Sequence, residues 1–508
     1  MNIPQPYRHA PLHPRKVSRQ NLLDEAAALL AAGSRLAMIS CHDDDDDQLR
    51  VIYTFTGDAP HQISELVVHI PGTEPWVPSL AALSYPAGNF EREMRDLFGL
   101  RPADHPQPYR LVRHGHWPRG WYPMRHDAAT SPAFEPDTES FPFLEVEGPG
   151  VYEVAVGPIH AGIIEPGHFR FSVIGESIIR MEARQWYMHR GIEKLFEGRT
   201  PERGIELAEA ITGDTAIGHS LAYAMAVEDA LSIDVPEVHR MQRALLLELE
   251  RMYNHVTDLG ALANDAGFGV VNSHALRLRE TLLRINKEVT GHRLLRGSLS
   301  IGGTRLLTLP DPTVLQQIAA DVAELVTITL DHSIVRDRFT GTAHLPASQG
   351  RTIGILGFVA RASGIDTDAR REHPFADLGD DFRIVTESGG DVRARYLVRA
   401  QEFGISTAVV TSLIHRLQSS ADTRPPTATG DASPTATQRA GLSLVEGWRG
   451  TICHRVELAS NGTLNRVKVV DPSFFNWPAL PIALSDTIVP DFPLTNKSFN
   501  QSYAGNDL

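Results

Sequence analysis

Thiols are the scarcest reactive groups in this 508-residue chain: Cys41 and Cys453 are the only two. A cluster site drawing four thiolates from one chain is therefore excluded, and so is a disulfide framework; the usage fits a reducing compartment. Acids and histidines in short runs are the next candidates. Glu193 follows His189 by four residues, the spacing that sets two side chains one turn apart on a helix face. A Glu there is either a solvated or ion-paired residue or a proton carrier. Asp43 to Asp47 is a run of five aspartates. It reads as a solvated hairpin tip, because a flexible run supplies no convergent metal geometry. Glu91, Arg92, Glu93 and Arg95 read as a charged helical surface able to form pairs. No Gly-x-Gly-x-x-Gly follows a strand and no Gly-x-x-x-x-Gly-Lys-[Ser/Thr] occurs, so nothing points to direct nucleotide binding.

The elements that must position these groups fall into an α+β pattern. Residues 1–127 read as a small α/β unit, with a helix over 22–32 and strands over 36–40, 51–56 and 64–70. Residues 128–148, rich in Pro, Ser, Thr and Glu, read as a linker. Residues 149–508 read as a mainly helical unit with flanking β-hairpins. It opens on a strand at Val151, and from Glu176 the pattern turns helical for about 200 residues. Met241, Leu245, Leu249, Met252 and Val256 recur at spacings of three and four, and Pro236 suits the first turn of that helix. Residues 419–438 are low in complexity and predict a disordered surface loop. Strands are expected over 450–458 and 464–470, followed by a polar tail.

Composition narrows the function further. The net charge of −14 argues against a nucleic-acid partner. No run of about 18 apolar residues predicts a membrane span, and the N-terminus lacks the apolar stretch of a signal peptide. A cytoplasmic protein is the expectation from the reducing compartment, docked through partners if it works at a membrane.

Longer motifs carry a resemblance. Phe90 to Gly99, reading FEREMRDLFG, with His105-Pro106 after it, resembles the signature of the smaller hydrophilic core subunit of complex I. That resemblance implies a docking surface. Four later segments resemble the large core subunit of complex I and its relative, the large subunit of membrane-bound nickel–iron hydrogenases. They are Gly157-Pro158-Ile159-His160 with Glu165-Pro166 and His168; Arg190 to Lys194; Arg361-Ala362-Ser363-Gly364 with Asp366, Asp368 and Arg370; and Glu446 with Arg449-Gly450. The order, small subunit first, is similar to the fused hydrogenase subunit of formate hydrogenlyase-type complexes.

The departures from that family are informative. Its members hold nickel with two pairs of thiolates. By the resemblance, Thr212-Gly213-Asp214-Thr215 stands at the first pair, with His219 retained, and Ser502-Tyr503-Ala504-Gly505 stands at the second. Thr and Ser hydroxyls ionise too weakly to replace soft thiolates. No metal is expected, nor any cofactor bound by this chain. The chain ends at Leu508, without the extension that hydrogenase precursors lose after metal insertion, which points the same way. The resemblance to complex I implies a quinone cavity, with His160 or His168 facing the headgroup and Thr212, Thr215 and Ser502 lining it. The partner tyrosine of that site is missing near Thr212, although Tyr223 lies further along.

The resemblance also assigns roles. Glu193 stands where hydrogenases carry a proton relay. His219 is either a buried, hydrogen-bonded residue or a cavity residue. Arg449 either anchors an anion or pairs with Glu446, and Asp214 could join Glu193 in a proton-handling or structural network. The implied partners are a small iron–sulfur subunit carrying the cluster, a ferredoxin-like subunit and antiporter-like membrane subunits. Two readings follow: electron transfer to quinone or another acceptor, or a catalytically silent structural and energy-coupling subunit.

Overall fold

The computed structural model describes residues 12, 14–44, 47–57, 59–136, 141–162, 164–420, 439–485 and 487–508. Strands Arg35–Asp44, Gln48–Thr56 and Ile63–Pro71, rich in β-branched and aromatic residues, form an antiparallel sheet, with Arg15–Lys16 added in parallel at its edge. Helix Leu22–Ala31 packs beside them, as the sequence predicts. Helix Tyr85–Phe98 buries Ala87, Phe90, Met94 and Leu97, at spacings of three and four, against this sheet. It ends at Gly99, whose φ is 76° and where a Cβ would lie 2.7 Å from the Tyr122 ring, so only glycine fits.

Two surface expectations are corrected here. The aspartate run is not simply a solvated tip. Asp43 and Asp44 belong to the strand: Asp43 accepts from the His126 N–H at 2.7 Å, and Asp44 accepts from Arg50 at 2.7 and 2.9 Å. Residues 45–46 lie outside the described residues. The charges of the signature helix also turn inward. Glu91 is fully buried and accepts from Ser79 and the Leu80 N–H, both at 2.6 Å, and Glu93 accepts from Lys468 at 2.7 Å. Burial, partly offset by those donors, pushes the Glu91 carboxyl up to about 7.

The second portion opens on a three-stranded sheet of Val151–Val156, His168–Ile174 and Ser177–Arg184. The helical pattern expected from Glu176 is therefore wrong for this third strand, and the helices begin at Ile192. The buried residues Ile178, Met181 and Arg184 stand three apart, a helical spacing; a register shift opposite Ser172 and Val173 produces the first of these steps within a strand. The core is built by long helices Ala216–Leu231, Glu237–Asp265, Gly269–Thr290, Pro312–Asp331 and Val392–Ser419. Pro236 caps its helix rather than sitting in the first turn. Helix Pro312–Asp331 has the length and mean hydropathy of a membrane span, with 22% of its most apolar window buried.

A last sheet joins the two portions. Strands Arg439–Glu446, Thr451–Leu458 and Leu464–Val470 pair antiparallel. Thr451–Leu458 is buried at every position. His454, Val456 and Leu458 face helix Ala216–Leu231 and its neighbours, while Cys453, Arg455 and Glu457 face the N-terminal sheet. There Arg455 donates to Glu65 at 2.9 Å and Arg50 grips Glu457 at 2.8 Å through both terminal nitrogens. The first strand of this sheet follows directly on the low-complexity segment, of which 421–438 lie outside the described residues. The expected polar tail is instead short helices ending in Tyr503–Asn506, with residues 501–507 buried.

Candidate functional site

Five of the expected site residues meet. Thr212, Asp214 and Thr215 form the turn before helix Ala216–Leu231, Arg449 comes from the loop between two strands, and Ser502 caps the last helix. Arg449 donates to both Asp214 oxygens at 2.6 and 2.7 Å and to the Asn500 carbonyl at 2.6 Å. Its guanidinium lies 3.9 Å from the centre of the Trp448 ring. Thr215 donates to Asp214 at 3.0 Å and accepts from the Trp448 indole at 3.0 Å. Thr212 and Ser502 share a hydrogen bond of 2.9 Å, and Ser502 accepts from the Gly505 N–H at 2.8 Å. Burial raises the Asp214 carboxyl, but Arg449 and Thr215 outweigh it and hold it below the usual range, although 39% of its side chain stays exposed. Of the two expectations for Arg449, pairing with Glu446 is replaced by pairing with Asp214; Glu446 accepts from Arg361 at 2.7 Å.

Glu193 and His219 sit in two further networks. Glu193 accepts from Arg466 at 2.6 Å and from the Val469 N–H at 3.1 Å, and forms an ion pair with Lys468 at 3.0 Å. Burial raises it, yet the two cations hold it at about 2. Lys468 also reaches Glu93, whose carboxyl burial pushes up. Glu193 thus joins Arg466, Lys468 and Glu93, and not Asp214. His189 is not on its helix face: Gly191, at φ 67°, separates His189 from helix Ile192–Phe196, and the ring meets Asp507 at 3.2 Å. His219 is fully buried between Asp471, 3.0 Å from Nε2, and His454, 3.1 Å from Nδ1. Burial, with His219 adding to it, lowers His454 well below the ordinary range, so its ring is neutral.

The hairpin histidines stand apart from both networks. His160 Nε2 lies 2.7 Å from the Gly167 carbonyl, and His168 Nδ1 lies 3.2 Å from that of Gly157, so each ties the hairpin to itself. His168 also lines a 660 Å³ cavity with Arg110, Arg113, His114, Phe141, Phe143 and Arg184. Tyr223 is buried with its hydroxyl on the Pro201 carbonyl at 2.8 Å, which removes it as a substitute for the missing cavity tyrosine. Sequence reasoning missed Asp471, His454, Arg466, Lys468 and Asn500; no motif marks them, and the partners of the first four lie 235 to 375 residues away.

Residues 15–133 match the family described as the respiratory-chain NADH dehydrogenase 30-kDa subunit, 190–263 the nickel-dependent hydrogenases, and 265–440 the NADH dehydrogenase 49-kDa subunit. Formate hydrogenlyase subunit 5 of Escherichia coli (strain K12) is 33% identical over 458 residues, which cover 87% of this chain and 78% of that protein. The chain belongs to this family of fused complex I- and hydrogenase-type subunits. Hydrogenase-4 component G of the same organism is 34% identical over 82% of this chain and 73% of its own length. The carbon monoxide-induced hydrogenase of Rhodospirillum rubrum is 26% identical over 69% of this chain and 97% of its own. The fold is also that of a chain in the membrane-bound sulfane sulfur reductase, an archaeal respiratory membrane complex. The TM-score is 0.64 at 22% identity, over 71% of this chain and 99% of that one.

Family membership raises the nickel–iron centre, and the residues present do not fit it. The four positions set against the thiolates offer two threonines, a serine and Gly505. A Cβ on Gly505 would lie 2.7 Å from the Asp471 carboxyl carbon, so even a cysteine there would have to displace the partner of His219. Among the described residues, no three His, Cys, Asp or Glu side chains gather as a metal site.

Proposed function

We propose that this fused subunit serves in the peripheral arm of a membrane-bound complex I-like or hydrogenase-related oxidoreductase complex, at the cytoplasmic face. Its own former metal pocket is chemically silent. One observation supports the second statement: the bidentate Arg449–Asp214 pair, with Thr212, Thr215 and Ser502 hydrogen-bonded around it, ties together the residues that the family resemblance sets against the metal's thiolates. Electrons then run through an iron–sulfur cluster in a small partner subunit. Ferredoxin-like and antiporter-like membrane subunits complete the complex. The hairpin supports docking of the small subunit, because Ile159 is 89% exposed at its tip. The chain's contribution is mechanical and electrostatic: the buried Glu193–Lys468–Glu93 chain links helix Ile192–Phe196 to the signature helix Tyr85–Phe98 and can pass a shift in charge between them.

Elemental analysis of the complex purified with its native partners tests this. Iron without nickel is the expected result; stoichiometric nickel would overturn the silent pocket. Transfer to quinone or another small acceptor is the second reading, favoured by the cavity that His168 lines. Quinone-dependent oxidation of the reduced complex, abolished by His168→Ala, would put that reading first.

A further inference from the structure

The cavity beside the hairpin has a wall held in place by the signature helix. Arg92 donates to the carbonyls of Tyr109 and Arg110, each at 2.9 Å, and Arg95 donates to that of Pro108. Asp96 accepts from the N–H groups of Leu111, Val112 and Arg113 at 2.7, 3.1 and 3.3 Å. Segment 108–113 is thereby fixed, and it delivers Arg110 and Arg113 to the cavity. Arg184, from strand Ser177–Arg184, faces them. With His114 and His168, these are five basic side chains, and no Asp or Glu stands among the described lining residues.

Arg113 and Arg184 make no direct ion pair, although the Asp96 carboxylate lies near enough to act on both. Arg184 is 4% exposed; it donates to the Arg113 carbonyl at 3.3 Å and rests 4.2 Å from the centre of the Phe141 ring, while its Nη1 is fully shielded and has no hydrogen-bond partner. Arg113 donates to the Pro118 carbonyl and its shielded Nε likewise has none. Burial pulls both guanidiniums below the ordinary arginine range, and Asp96, with Tyr122 at Arg113 and Tyr187 at Arg184, offsets it only in part. Buried donors are otherwise satisfied almost without exception, and a planar guanidinium left over matches a two-oxygen anion. The volume, 660 Å³, suits a small organic ligand.

We propose that this cavity is an anion site for a carboxylate or phosphate ester bearing a flat apolar group. Arg113 and Arg184 take the oxyanion, and Phe143 and Tyr187 take the apolar part. The site is separate from the closed Thr212–Ser502 pocket and does not depend on its silence; it competes with the quinone reading for the same cavity. The ligand is either a soluble metabolite-sized anion or a lipid headgroup, since both present the same oxyanion.

Calorimetric titration of the full chain with phenyl phosphate, at constant ionic strength, tests it. Saturable one-to-one binding is expected, with benzyl alcohol giving none. Arg113→Gln and Arg184→Gln should each weaken binding about tenfold or more. Arg180→Gln, on the same strand but exposed and paired with Glu182, should leave it unchanged. Arg113, less buried than Arg184, keeps the test open if the Arg184 variant fails to fold. Sedimentation with phosphatidic acid vesicles, released by Arg113→Gln, would identify a lipid headgroup; phenyl phosphate binding without vesicle binding would identify a soluble anion. No saturable binding, or equal binding by both variants, overturns the site. So does loss of complex assembly in Arg110→Gln without any small-anion binding, because a partner's acidic segment would then be the occupant.

Discussion

Two regions of the molecule handle buried arginine in opposite ways. At the Thr212–Ser502 pocket, Arg449 has a carboxylate on both terminal nitrogens, and the hydroxyls around it are paired with one another. At the hairpin cavity, Arg113 and Arg184 have backbone carbonyls and aromatic rings but no carboxylate. A buried charge is costly unless it is paired, so the first region is closed by its own chemistry and the second is left with capacity for a ligand. At the positions that the family resemblance sets against thiolates, the chain holds an internal ion pair.

The comparison can be broken most severely at the paired end. Arg466→Met removes a main partner of buried Glu193 and is expected to cost about 3–5 kcal/mol in urea unfolding; a loss near zero would mean that Lys468 alone suffices. Next comes acid. Glu193 is held at about 2 against an ordinary 4.5, so its stabilisation is complete above pH 4.5 and drains away as pH falls toward 2. The loss over that interval is about 3 kcal/mol, and Glu193→Gln should remove that part of the acid limb from the stability profile. Gly505→Ala pushes a methyl against Asp471 and should cost about 1–3 kcal/mol, read as a lower unfolding midpoint. The smallest effect is at Asp214→Asn. The carboxylate is 39% exposed, so solvent screens the pair and about 1 kcal/mol is expected; a much larger loss would make Arg449–Asp214 the keystone of the fold.

Much of the fold was legible because it rests on local pattern. The N-terminal strands, the Glu237–Asp265 helix and the signature motif all follow from spacing over fewer than thirty residues. The site was half legible. Thr212, Asp214, Thr215, Ser502 and Arg449 were found through motif position, and they do meet. Their pairing was not readable, because Asp214 and Arg449 are 235 residues apart and Glu193 and Arg466 are 273 apart. His189 and Glu193 show the opposite failure: a helical spacing on paper, interrupted by a left-handed Gly191. Strand Ser177–Arg184 was misread because a register irregularity gave it a helix-like burial period.

Strand Thr451–Leu458, buried on both faces, changes the meaning of the covalent connection over residues 128–148. One face of the strand packs on the helical portion and the other packs on the N-terminal sheet, so the boundary between the two portions is a core shared by both, as in a permanent heterodimer. Proteolysis within that connection should leave a single particle on size exclusion. Fusion therefore adds little adhesion; what it fixes is stoichiometry, delivering one small-subunit portion to every large one as the chain is made.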